Sequence, residues 1–228
     1  MKTQSKIPHS APKTIRLAIA QRGHMSHNIW VAWSYKLRKT LLLPSDAALC
    51  YVALLEGDST VVSYELEAPS LVTTVNNAVV GTRFDATVRY VDGSVSWDEV
   101  KRDIDSTAPG SPSLQLQAQS QLSVLHGVRY RLFTSNDFLP KMNRVWNCLR
   151  MLQVLQAAQT FSVARSRTSV LSRLSSGAAA IGELKSLDQN DEALNLASIF
   201  GLMFESVIIG DIDSKPISNE SIVHLAGR

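Results

Sequence analysis

The sequence predicts an α/β fold for roughly its first 134 residues and a helical module after them. Three observations predict this. Apolar residues recur at helical spacing over 47–55, β-branched stretches lead into a hairpin signal at Asp92-Gly93, and a strongly helical pattern begins beyond Thr134.

Each element follows from local chemistry. Ser45-Asp46 opens the first helix, in which Ala47, Cys50, Tyr51, Leu54 and Leu55 recur at three and four, and Gly57 ends it. Residues 60–66 alternate as a strand does, and Pro69 stops them. Residues 70–80, rich in Val and Thr, read as a short strand or a hairpin turning at Asn76-Asn77. Residues 84–90 and 94–101 form a hairpin with Asp92-Gly93 at its tip. Residues 106–113 are a loop. Leu114, Leu116, Leu122 and Leu125 then predict a helix ending near Gly127, and residues 128–133 a further strand. Helix, strands, hairpin, helix, strand in that order make an α/β sandwich. Helices are expected over 138–160, 168–186 and 191–206. A terminal hairpin of 207–211 with 221–225 makes that second module winged-helix-like. The expected organisation is a flexible basic arm over 1–29, an α/β domain over 30–134 and a C-terminal helical domain over 135–228.

Charge is unevenly spread. The formal net charge is +3, yet residues 1–45 carry Lys2, Lys6, Lys13, Arg16, Arg22, Lys36, Arg38 and Lys39 and no acid. Residues 46–111 hold eleven acids against four bases. A basic arm beside an acidic module suits a protein that holds a polyanion while presenting carboxylates to a metal; a solvated basic tail is the plainer reading. No apolar run reaches the ~18 residues of a membrane-spanning helix, and Leu17-Ala18-Ile19-Ala20 is too short for a signal-peptide core. Cys50 and Cys148 match no metal spacing and are expected to be buried free thiols of a reducing cytoplasm. His9, His24 and His27 match no zinc spacing either.

The chemistry concentrates in Asp85, Glu99 and Lys101. Residues two apart on a strand share a face, so Glu99 and Lys101 project together. An acid on the neighbouring strand completes two carboxylates and an ammonium, a set that suits an Mg²⁺ ion and phosphodiester hydrolysis. The hairpin register decides whether Asp85 is that acid. A strict two-residue loop places Asp85 opposite Val100, facing away from Glu99. A three-residue connection, Val91-Asp92-Gly93 with Gly93 left-handed in a bulge, pairs Asp85 with Glu99, and this register is the one expected. The same triplet also occurs on merely charged outer sheet faces.

The surrounding sequence narrows the choice. The run from Ser34 to Ser45, the helix into Glu56-Gly57-Asp58, residues 61–69, Arg83-Phe84-Asp85, Asp92-Gly93 and Glu99-Val100-Lys101 together resemble the nuclease domain of the TnsA family of transposon endonucleases. Residues 209–218 are similar to the end of that family's second domain, so the resemblance covers about residues 30–228. It implies a restriction-endonuclease-like PD-(D/E)xK core and Mg²⁺-dependent hydrolysis (Mn²⁺ substituting) of the 5′ strand at transposon ends. It also implies a TnsB-like transposase that cuts the other strand, and a TnsC-like ATPase that binds the C-terminal domain. The setting would be the bacterial cytoplasm, at the nucleoid, with no membrane. On this resemblance Asp85 and Glu99 are metal ligands, the Val100 carbonyl is a further one, and Lys101 is the catalytic lysine.

Two positions depart from the family. Its helix begins Ser-x-x-Glu with an active-site Glu, whereas here Ala48 stands at that place; Ala68 replaces a Gln before Pro69. Three explanations of Ala48 stand open. Asp85 and Glu99 suffice; or Asp46 or Glu56 reaches the metal; or the nuclease is impaired and the chain is a DNA- and protein-binding scaffold. A stand-alone restriction enzyme is a further reading. Lys36, Arg38 and Lys39 are expected to contact DNA phosphates, or else to form an ordinary solvated surface. Trp30 and Trp33 are expected to pack against the core rather than stack on bases, and Trp146 and the helix near 194–203 to be core. Arg144, Arg150, Arg165, Arg167 and Arg173 give the helical module a basic side, for DNA, a partner or solvent.

Overall fold

The structure, a computed structural model, describes residues 28–66, 68, 70–101, 113–188 and 191–227. Most of the expected basic arm (residues 1–27, with His9, His24 and His27), Pro69 and residues 106–112 of the expected loop lie outside the described residues. The fold is mixed α/β. No helix among the described residues is long and apolar enough to cross a membrane.

The described chain begins with an antiparallel hairpin of β1 (Trp30–Ser34) and β2 (Lys39–Leu43), Trp30 opposite Leu43 and Ser34 opposite Lys39. The sequence pattern gave no strands here. Leu41-Leu42-Leu43 does not alternate in residue type although its burial does: Leu41 and Leu43 are buried and Leu42 is half-buried, while Trp30, Val31, Lys39 and Thr40 are exposed. Helix α1 (Asp46–Glu56) follows, its Ser45 N-cap accepting a hydrogen bond from the Ala48 N–H at 3.1 Å. Its Ala47, Cys50, Tyr51, Val52, Ala53 and Leu55 are all buried, because the helix lies inside the core. The helix ends at Gly57 with an ordinary φ of −81°. Glycine is needed there for space, since a Cβ would sit 2.5 Å from Cys148 Sγ.

Strands β3 (Val61–Leu66), β4 (Ser70–Val75), β5 (Ala78–Arg83), β6 (Ala86–Tyr90) and β7 (Val95–Val100) come next. β4 and β5 are a separate hairpin whose turn residues, Asn76 and Asn77, have φ of 50° and 63°, the left-handed values a tight primed turn demands. Helix α2 (Leu114–Leu125) ends before Gly127, φ 65°, and leads to β8 (Arg129–Phe133). The central sheet runs β3-β6-β7-β8, with β7 and β8 parallel and the other neighbours antiparallel. The parallel pair requires a crossover, which α2 lies within. α1 covers one face of this sheet. α2 and the β4–β5 hairpin cover the other, where Phe84, Leu122 and Ala68 form a small second core with Trp97 and Tyr130 packed on it.

The remainder is helical. After α3 (Ser135–Phe138) and a 3₁₀ turn at Leu139–Lys141, α4 runs over Met142–Ala158. It starts later than the periodicity suggested because Pro140 sits in that turn. α5 (Ala164–Ser175), β9 (Ala179–Ala180) and α6 (Ile181–Lys185) replace the single helix expected over 168–186. Gly177, at φ 136°, breaks it, while apolar residues at helical spacing on both sides conceal the break. α7 (Glu192–Phe204) is buried as expected, and β10 (Ile208–Gly210) pairs with β11 (Ile222–Leu225), which also pairs with β9.

The main core does not stop at residue 134. Trp33, Tyr51, Val88 and Phe133 belong to one buried cluster with Val145, Cys148, Leu155, Phe200 and Val223. Cys50 and Cys148 are both buried and free. Trp146 departs from expectation, being 61% exposed. α4 buries Val145, Cys148, Met151, Leu152 and Leu155, and Trp146 stands one step, about 100°, round from that stripe. Trp33 is buried, whereas Trp30 is partly exposed and donates its indole N–H to Asp46 at 2.7 Å.

Candidate active site

The β6–β7 hairpin sets the geometry. Ala86 pairs with Asp98, Thr87 with Trp97 and Arg89 with Val95, and Tyr90 N–H donates to Ser94 O at 3.0 Å. The connection is therefore Val91-Asp92-Gly93. Gly93 N–H bonds Tyr90 O at 3.0 Å and takes φ 80°, the bulged three-residue turn expected from the sequence. The register does not run on to pair Asp85 with Glu99 as expected: the Asp85 N–H donates to the Asp98 carbonyl at 2.9 Å, so Asp85 and Ala86 both stand opposite Asp98 in a second bulge. The ladder ends there in a side chain, since Asp85 Oδ2 accepts the Val100 N–H at 2.7 Å.

Alternation then separates the acids of β7. Asp98 points toward α1, is fully buried and accepts from the Tyr51 hydroxyl at 2.7 Å. Burial raises its pKa, against the lowering influence of Ser96, Arg131 and Tyr51. Glu99 points the other way, toward α2. Its Oε1 pairs with Lys101 Nζ at 2.7 Å and accepts from Gln115 at 3.2 Å, while Oε2 accepts from Gln119 at 2.7 Å. The protein around Asp85 raises its pKa even though part of the residue reaches solvent. The Val100 N–H opposes that rise, the charge of Glu99 adds to it, and Lys101 and Arg83 lower it again. Two carboxylates that repel each other beside an ammonium form a site that a cation would relieve.

A cavity of about 340 Å³ opens beside this end of the sheet, lined by Asp85, Val100, Arg83, Tyr51, Ser45 and Ala48 among others. Ala48 thus stands over the cavity, on the first turn of α1, but brings only a methyl group. Neither alternative acid of α1 is available to the cavity. Asp46 accepts from Asn28 at 3.0 Å and from Trp30. Glu56, at the far end of the helix, is 0% exposed and accepts from Tyr64 OH at 2.6 Å, from the N–H groups of Tyr35 and Lys36 at 3.1 Å each, and from Ser34 Oγ. It ties the β1–β2 turn to α1.

Of the three expected DNA-contacting cations, Lys36 is turned inward. Its ammonium donates to Asp58 O at 2.5 Å and to Val61 O, and burial lowers its pKa, against the carboxylates of Glu56 and Asp58. Arg38 lies over the Tyr35 ring at 3.8 Å, and Lys39 is exposed. Lys36 and Arg38 lie in the β1–β2 turn, and Lys39, the first residue of β2, is about 13 Å along the strand from Leu43 at the cavity wall. The arginines of the helical part are engaged as well. Arg144 bonds Asp213 at 2.6 Å, Arg150 the Ile217 carbonyl at 2.8 Å, Arg165 Asp188 at 3.4 Å, Arg167 Glu205 at 2.7 Å and Arg173 Glu183 at 2.5 Å.

Sequence reasoning missed Gln115, Gln119 and Tyr130, the neighbours that orient Glu99. Gln115 and Gln119 are four apart, on one face of a helix that follows a Glu-x-Lys strand, which is the signal that would have found them. Among the described residues no group of three or more His, Cys, Asp or Glu could hold a metal. Two carboxylates still fit Mg²⁺, which keeps several waters and takes other ligands from a substrate phosphate. Comparison with protein-family models gives no match, and comparison with curated proteins gives none.

Proposed function

We propose that this chain is a metal-dependent DNA endonuclease of the TnsA kind, with a restriction-endonuclease-like core and a winged-helix-like C-terminal part, acting on the 5′ strand at transposon ends. The observation that carries the reading is the Asp85 carboxylate, which accepts the N–H of Val100, the residue between Glu99 and Lys101, where Asp85 and Val100 line a cavity. The order of strands and the placing of a helix on each face agree with that core. The order α5, β9, α6, α7, β10, β11 agrees with a winged helix.

Asp85, Glu99 and the Val100 carbonyl would hold Mg²⁺, or Mn²⁺ in its place. When bound, the ion polarises the phosphate and makes its water a better nucleophile. Lys101, paired with Glu99, is placed to offset negative charge that develops on the phosphate as the water oxygen bonds to phosphorus and the P–O bond breaks. A TnsB-like transposase and a TnsC-like ATPase are the partners, the latter on the C-terminal part, in the bacterial cytoplasm at the nucleoid. Any contact of DNA phosphates with the β1–β2 hairpin falls to Arg38 and Lys39, because Lys36 is spent on backbone carbonyls.

A second reading, a cleavage-impaired scaffold, is favoured by Ala48, since no acid of α1 lines the cavity. A nicking assay on end-containing DNA, with and without Mg²⁺, separates the two. The enzyme reading expects Mg²⁺-dependent nicks that Asp85→Ala abolishes. The scaffold reading expects none from this chain and a gain in Ala48→Glu, whose carboxylate would enter the cavity. No nicking by either protein would remove the nuclease reading.

A further inference from the structure

The geometry points to Gln119 as a positioning residue that holds Asp85 and Glu99 in one fixed arrangement, a role that rests on the nuclease reading above. Gln119 is 0% exposed, on the face of α2 turned to the sheet. Its Nε2 donates to Glu99 Oε2 at 2.7 Å and to Arg83 O at 3.1 Å. Arg83 is two residues before Asp85. One amide group therefore grips both the carboxylate of Glu99 and the chain that delivers Asp85.

The orientation of the amide is determined by its third partner. Tyr130 OH donates to Gln119 Oε1 at 2.9 Å. The reversed amide would aim its oxygen at a carboxylate and a carbonyl, two acceptors, and its NH₂ at the phenol. Gln115, one turn earlier, reaches only the other oxygen of Glu99 and at 3.2 Å, and Lys101 holds that same oxygen from a long flexible stem. Gln119 thus connects Glu99 to the segment that delivers Asp85. A buried amide is a costly filler between a helix and a sheet, where an apolar side chain would pack more cheaply. Its value lies in directing a carboxylate, as hydrogen-bonded partners of metal ligands do.

The test measures Mn²⁺ binding to the full chain by electron paramagnetic resonance, in wild type, Glu99→Ala, Gln119→Leu, Tyr130→Phe and Leu122→Ala. Leu122 lies in the apolar core under the same helix, so its truncation loosens α2 without touching the amide. Gln119→Leu is expected to weaken Mn²⁺ binding about 10–100-fold, the usual cost of removing such a partner. Tyr130→Phe is expected to weaken it by a smaller factor, and Leu122→Ala to bind as wild type does. Should Gln119→Leu lose its native circular dichroism, Tyr130→Phe decides, because it keeps the ring against Phe84. Wild-type affinity in the folded variants overturns the positioning role while leaving the nuclease reading intact. Wild type that binds no Mn²⁺, or binds it no better than Glu99→Ala, sinks the nuclease reading and the positioning role with it.

Discussion

At the scale of single residues, two neighbours at the end of α1 carry separate loads. Glu56 accepts four hydrogen bonds in a site closed to water, so its loss leaves the Ser34 hydroxyl and two backbone N–H groups without their acceptor, while the Tyr64 hydroxyl keeps Ser34 Oγ at 3.0 Å. Glu56→Ala should destabilise the fold by on the order of 3 kcal/mol in urea titration, since each buried orphan costs about 1–3 kcal/mol and some relaxation offsets the sum. Wild-type stability would mean that the β1–β2 turn does not depend on this carboxylate. Gly57 is limited by space instead. A methyl group there meets Cys148 Sγ, which burial has also raised to a pKa of about 12, making it an inert packing thiol. Gly57→Ala should cost roughly 1–3 kcal/mol by overpacking. Cys148→Ala in the same chain should recover part of that loss, a coupling that a double-mutant cycle reads directly. Strictly additive losses would refute the clash.

At the scale of elements, the β6–β7 hairpin depends on its turn. Gly93 has open space around it, so Gly93→Ala adds no clash and only strains a backbone at φ 80°. The expected loss is about 1–2 kcal/mol. Gly81→Ala in β5, equally open but without a positive φ, should be neutral or slightly stabilising. Equal effects in the two variants would show that the turn does not set the register. This hairpin was legible from sequence because one dipeptide and a period of two specify it, and the β4–β5 turn was legible for the same reason. The place of Asp85 was not, because a bulge that sets both Asp85 and Ala86 opposite Asp98 breaks the count. Nor was the β1–β2 hairpin, because its residue types do not alternate even where its burial does. The break at Gly177 was hidden because helical spacing runs on through it. Trp146 misled because a residue one step off a buried stripe looks like part of it in a sequence window. The orientation of Glu99 needed partners twenty residues away on another element, and no local pattern encodes that distance.

At the scale of the whole molecule, the expected boundary near Ser135 falls inside shared packing. α4 packs against α1 and β1, and Phe133 shares a buried cluster with residues of α7 and β11. Polar ties reinforce this. Arg144 holds both Asp213 and the Gly57 carbonyl, and Tyr35 of the β1–β2 turn donates to Glu205 at 2.6 Å beside Arg167. Two consequences can be measured. Hydrogen bonds from Arg144 depress the pKa of Asp213, and those from Arg167 and Tyr35 depress that of Glu205 despite its partial burial. Depressed folded values contribute stability above the ordinary carboxylate pKa, and that stability is lost as pH falls through the folded values. Wild type should therefore lose melting temperature steeply below about pH 4, and Arg144→Met should show a shallower loss from a lower starting value. Parallel curves would remove Asp213 from the account. The larger consequence concerns cooperativity. Separating residues 30–134 from 135–227 would expose the inner faces of α1 and α4 at once, so neither part has a low-cost route to unfold first. Calorimetry at neutral pH should accordingly give one transition whose calorimetric and van't Hoff enthalpies agree. Two resolved transitions would mean that the shared core is only an interface between independent domains. The chain would then hold its proposed nuclease and partner-binding parts as separable modules, and binding at the C-terminal helices would no longer be mechanically coupled to α1, which carries Ala48 over the cavity.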